Sequence, residues 1–184
     1  MLHIVKDNIK TLRERSVDVT LPLAKHDKKT LDAMLSYLKN TQDPEWRKDH
    51  PACREGIGLA APQIGINKRM LVIHYQEGDE EKPIDVSYEL VNPKIIENSV
   101  KLCFLESGEG CLSVDAPHPG KVYRPFRIKV AGYEAITEQE VTITAEGFDA
   151  IVLQHEIDHL NGVLFYDHID KLNPDKVIPD AIAI

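Results

Sequence analysis

The chain has 184 residues, 42% hydrophobic and 28% charged, with a formal net charge of −8. This predicts a single domain over 1–184 with a sizeable core, and the acidic balance argues against dedicated nucleic-acid binding or an anionic membrane surface. No apolar run reaches membrane-spanning length, MLHIVKDNIK has no signal-peptide core, and three irregularly spaced cysteines do not suggest a disulfide framework, so the expected location is cytoplasmic.

Along the chain, Leu31, Met34, Leu35 and Leu38 share one face at helical spacing, predicting a helix over about 27–40. The polar TQDPEWRKDHPACRE, with two prolines, reads as a long loop. RMLVIHY and VSYELVNP read as strands separated by the acidic loop QEGDEEKPID. Cys103, within VKLCFLES, reads as a small buried hydrophobe. KVYRPFRIKVAGYE and QEVTITAEG alternate like strands, the second with Val141, Ile143 and Ala145 on one face. Asp149 is placed to N-cap a helix through Asn161, and Gly162 to end it in the left-handed conformation. The tail KLNPDKVIPDAIAI offers a weak strand at most. Strands come in runs rather than alternating with helices. The class is therefore α+β: mostly antiparallel sheets packed around a central helix that carries an HExxH pattern, with an N-terminal helix.

That pattern is His155, Glu156 and His159 in QHEIDHLNG. Residues four apart lie one turn apart on one helix face, so both imidazoles can reach one metal ion. Glu156 lies about 100° round the helix, badly placed as an equal ligand but well placed for a water at the ion. A core helix with hydrogen-bonded histidines would account for a lone His. A full HExxH after the apolar AIVL favours a metal.

A catalytic site needs a third ligand. The H-E-x-x-H-x-x-G-x-x-H metalloprotease pattern is followed through Gly162 but has Phe165 in place of the last His, and no methionine follows Met70. No glutamate follows Glu156, leaving downstream only Asp167, His168, Asp170, Asp175 and Asp180. Upstream, Cys111 in GEGCLSV would complete a Cys/His/His set with a fourth position for water. In GIGLAAPQIG, Gly56, Gly58 and Ala61 satisfy a dinucleotide pattern, but no strand precedes it and Pro62 would disrupt the following helix. Its small residues suggest close backbone approach to a ligand, with Gln63 as a donor; taken alone, the segment is also explained by a tight loop with a surface Gln.

Together GIGLAAPQ, EGCLS and HEIDH, in this order, resemble the three signature motifs of the peptide deformylases. The polar insertion before the first motif, and the lack of a long basic C-terminal helix, look like the longer subclass. Lys10 in NIKTLRERS stands where that family commonly has proline. The resemblance implies an enzyme that removes the N-formyl group from the N-terminal methionine of nascent peptides, releasing formate. Cys111, His155 and His159 would bind one ion per chain, Fe(II) in the cell, replaceable by Zn, Ni or Co. Glu156 would shuttle the proton. Gln63 and the Leu112 N–H would stabilise the oxyanion. Gly58 would let substrate backbone lie close, and Ile57, Phe148, Ile151 and Val152 would shape the methionine pocket. Glu109 and Arg124 would form a salt bridge holding the Cys111 loop. Transient ribosome contact fits this role. The alternative is a metallopeptidase using the same Cys/His/His set.

Overall fold

The structure, a computed structural model, describes residues 2–78 and 83–184. Helix α1 (Lys25–Gln42) extends two residues beyond the predicted helix at each end and buries Leu31, Met34, Tyr37 and Leu38. The segment read as a long loop contains a second helix, α2 (Pro44–Asp49). Asp43 caps it, accepting the Glu45 N–H at 2.9 Å, and Pro44 occupies the first turn, where its missing N–H costs nothing. None of the six residues is buried, so no apolar period marks the helix in the sequence.

Five strands form one antiparallel sheet in the order β1-β2-β3-β6-β7: β1 (Gly58–Ala60), β2 (Met70–Glu77), β3 (Ile84–Asn98), β6 (Arg127–Glu134) and β7 (Gln139–Glu146). The loop expected between β2 and β3 falls partly on residues 79–82, outside the described residues. A smaller sheet has the order β5-β4-β8, with β4 (Leu102–Phe104), β5 (Arg124–Pro125) and β8 (Ile182–Ala183). The stretch KVYRPFRIKVAGYE thus divides at Phe126 between two sheets. The β4–β8 pair is parallel, an exception to the antiparallel pairing.

Alternation along β2 and β3 separates two cores. Leu71, Ile73, Tyr75 and Leu90 pack on the face of α3 (Gly147–Leu160), joined by Ala145 of β7. Met70, Val72 and Val91 pack on the opposite face, against α1. Asp149 is not the cap of α3. Glu146 holds that position, and the Asp149 carboxylate accepts hydrogen bonds from the Tyr75 and Tyr88 hydroxyls at 3.2 and 3.3 Å. The helix is buried on most sides, its polar Gln154, Glu156 and His159 included, and it ends with Asn161 as C-cap and Gly162 at φ 77°. Among the described residues no helix is long and apolar enough to cross a membrane.

Candidate metal centre

Three segments distant in sequence meet beside α3. The ligand atoms of Cys111, His155 and His159 all lie within 4.8 Å of one another. The Cys111 sulfur is 3.3 Å from His159 Nε2. His155 Nδ1 is 2.8 Å from a Glu109 carboxylate oxygen, which fixes the ring and turns its other nitrogen toward the cysteine. His159 Nδ1 has no partner among the described residues. Two imidazoles and a thiol, largely buried and convergent, fit a divalent metal ion, and three protein ligands would leave a tetrahedral ion one further position. The downstream acids and His168 do not join the cluster.

Glu156 stands in the same pocket, 4% exposed, with Oε2 unpartnered among the described residues. Burial pushes its carboxyl up to about 7, against the opposing pull of His155 and Arg124. Gly58 of β1 is shaped around this side chain. A Cβ there would lie 2.7 Å from Glu156 Cδ, so glycine is required for the carboxylate to lie against the strand. The space attributed to substrate approach is thus used, at least at Cβ, by Glu156.

Gln63 is buried, not a surface residue. It lies in a 3-10 turn (Ala61–Ile64) directly after β1. The Ala60 N–H donates to its Oε1 at 2.8 Å, which orients the amide, and its Nε2 donates to the Cys111 sulfur at 3.5 Å and to Ser113 Oγ at 3.3 Å.

Glu109 and Arg124 are not solvated charges; both side chains are 3% exposed. Arg124 donates from Nε to Glu109 Oε1 at 2.6 Å and from Nη2 to Oε2 at 3.0 Å, while Nη1 donates to Asp158 at 2.8 Å. Burial alone would raise the Glu109 carboxyl, but the hydrogen bonds from His155 and Arg124 win and hold it at about 2. Nothing local in HEIDH singles out Asp158; its role comes from an arginine 34 residues away, and its Oδ2 also lies 2.7 Å from His168 Nε2.

These groups open into a pocket of about 280 Å³ that also includes Ile57, Gly58, Leu112, Phe148, Ile151 and Val152. The structure therefore brings together all the residues proposed for the metal, the chemistry and the pocket, with the exception that His159 lies behind the lining. Leu105 and Arg54 also line it, and no periodicity or motif in the sequence marked either.

The profile of the polypeptide deformylase family matches residues 1–175. A peptide deformylase of Macrococcus caseolyticus is 50% identical over 184 residues, covering 100% of this chain and 98% of that protein. A probable peptide deformylase from Synechococcus phage S-SSM7 superposes with a TM-score of 0.69 at 36% identity, covering 91% of this chain and 99% of the other. A class I type b peptide deformylase from Acinetobacter baumannii, solved with Met-Ala-Ser bound, gives 0.71 at 28% identity, covering 92% and 98%.

Proposed function

This chain belongs to the polypeptide deformylase family, whose members are hydrolases, and on that premise we propose that it removes the formyl group from the N-terminal methionine of newly made polypeptides. The observation that carries the reading is the convergence of Cys111, His155 and His159 with Glu156 and Gln63 in one buried site. Cys111, His155 and His159 would hold one divalent ion, Fe(II) in the cell, with α3 as the central helix that presents the histidine pair. When bound, that ion supplies Lewis-acid polarisation of the formyl group and a water acidic enough to attack near neutral pH.

The remaining steps belong to the protein's own groups. Glu156, whose Oε2 has no partner among the described residues, accepts the proton of the attacking water. The water oxygen adds to the formyl carbon, the C–N bond breaks, and the proton passes from Glu156 to the departing amine. Formate and a free N-terminus result. As negative charge grows on the formyl oxygen, the Gln63 amide and the Leu112 N–H donate to it. Ile57, Phe148, Ile151 and Val152 offer an apolar wall for the methionine side chain. The Met-Ala-Ser peptide bound to the Acinetobacter relative has the chemistry of a deformylated product. Residues 1–184 would act as one catalytic domain, and the polar segment around α2 is consistent with the longer subclass. The setting is cytoplasmic, with transient access to nascent chains at the ribosome.

The test is formate release from formyl-Met-Ala-Ser, with unformylated Met-Ala-Ser as control. Formate from the first and no cleavage of the second are expected. Peptide-bond cleavage of the unformylated peptide would make the protein a metallopeptidase instead. Protein loaded anaerobically with Fe(II) should exceed the zinc form in kcat/KM and lose activity in air, whereas Ni(II) or Co(II) forms should persist. Equal iron and zinc forms, with no air sensitivity, would remove the iron assignment and leave the reaction standing.

A further inference from the structure

The loop that carries Cys111 and Leu112 is gripped from outside by a guanidinium that reaches three of its carbonyls. Cys111–Val114 is a tight turn, closed by the Val114 N–H donating to the Cys111 carbonyl at 3.1 Å. Its carbonyls converge on the Arg54 guanidinium. Arg54 Nη2 lies 2.9 Å from the Cys111 oxygen, 2.8 Å from Leu112, 3.1 Å from Val114 and 3.1 Å from Asp115 Oδ1, and Nη1 lies 3.1 Å from the Val114 oxygen. A planar cation with five fixed donors suits several carbonyls at once.

The base of Arg54 is itself tied down. Two residues on, the Gly56 N–H donates to Thr41 Oγ1 at 3.3 Å, and the Gly56 carbonyl accepts from Gln42 Nε2 at 2.8 Å, both at the end of α1. Gly56 also seats the Leu112 side chain: a Cβ on Gly56 would lie 2.7 Å from Leu112 Cδ1. The turn is therefore located twice, by its carbonyls on Arg54 and by its leucine on Gly56.

The geometry of a peptide unit links this grip to the chemistry. The Cys111 carbonyl and the Leu112 N–H belong to one planar trans peptide, so they point in opposite directions. Drawing the oxygen toward Arg54 fixes the direction of the N–H on the other side. We propose that Arg54 is a positioning residue, holding the Cys111–Leu112 peptide so that the Leu112 N–H meets the developing oxyanion. The inference rests on the deformylase reading above.

Lys6 provides the internal control. It donates to the Leu112 carbonyl at 3.1 Å and to Asp115 Oδ1 at 2.8 Å, the same turn but the next peptide along. Wild type, Arg54→Met, Arg54→Lys and Lys6→Met should be compared with formyl-Met-Ala-Ser, each rate expressed per folded, metal-loaded molecule from metal analysis and thermal melting. Arg54→Met should lower kcat about 10- to 100-fold with KM changed less than about threefold, the pattern of a displaced transition-state donor. Arg54→Lys should fall between it and wild type, since one ammonium can hold one carbonyl; it carries the test if the methionine variant does not fold. Lys6→Met should lose less than about threefold. Normal kcat in both Arg54 variants, a loss confined to KM, or an equal loss in Lys6→Met would overturn the positioning role. Absence of formate release by wild type would overturn the deformylase reading and this inference with it.

Discussion

Glu109 and Glu89 are the same residue type, each with its carboxylate side chain out of solvent, on opposite sides of the large sheet. Glu109 is held down at about 2, whereas burial, with Asp32 and Glu134 nearby, pushes Glu89 up to about 7. Burial acts in the same direction on both. The difference lies in the partners: Arg124 and His155 surround the first, while Lys28 and Lys39 only partly offset the acids around the second. An ionised carboxylate is kept in the interior where it orients a histidine of the candidate metal centre. Under α1 a buried acid takes up a proton more readily. Glu156 resembles Glu89 in this respect, and that resemblance suits a group whose role is to accept and return a proton.

Removing the cation breaks the comparison at its strongest point. Arg124→Met leaves Glu109 and Asp158 buried without their counterion, and breaking such a pair typically costs about 3–5 kcal/mol. Urea unfolding should show that loss, and metal content should fall as His155 loses its fixed orientation. Unchanged stability would mean that the network is solvated in solution. Glu156→Ala tests the second kind of carboxylate: turnover should fall about 10²–10⁴-fold while the metal stays bound. Metal lost in proportion to activity would make Glu156 structural.

The smallest effect is expected at Glu89. Its folded value of about 7 lies above the ordinary 4.5. Above pH 7 both folded and unfolded chains carry the charge, and the penalty of burying it is complete. As pH falls from 7 to 4.5 the native state binds the proton first, so the penalty disappears. Glu89→Gln should therefore raise the melting temperature at pH 8 and do little at pH 4. A gain of equal size at both pH values would remove the protonation argument.

Much of the candidate site was legible because its signals are local. That His155 and His159 share one helix face follows from helical periodicity, the strand faces follow from alternation, and the meeting of these histidines with Cys111 and Gln63 is what the three-motif resemblance implies. The errors came where a partner lies elsewhere in the chain. Asp149 has the side chain of a good cap, but Tyr75 and Tyr88 on neighbouring strands take it. Helix α2 has Asp43 and Pro44 at its start, a readable signal, yet it buries nothing and shows no apolar period. The insertion's prolines masked it. Arg54 is a single charge in a polar stretch until the fold sets it beneath the Cys111 turn.

The pairing of β8 with β4 has a consequence in time. The Ile184 N–H donates to the Phe104 carbonyl at 2.9 Å, and the Glu106 N–H donates to the Ile184 carbonyl at 3.2 Å, just ahead of Glu109 and Cys111. The brace on that segment is therefore synthesised after every proposed ligand, and it closes over nearly eighty intervening residues, the kind of distant contact that forms late. During translation the chain passes through a stage in which Cys111, His155 and His159 all exist but the strand behind the Cys111 segment does not. The candidate ligands and the strand that braces the Cys111 segment are thus completed at different moments in the protein's own synthesis.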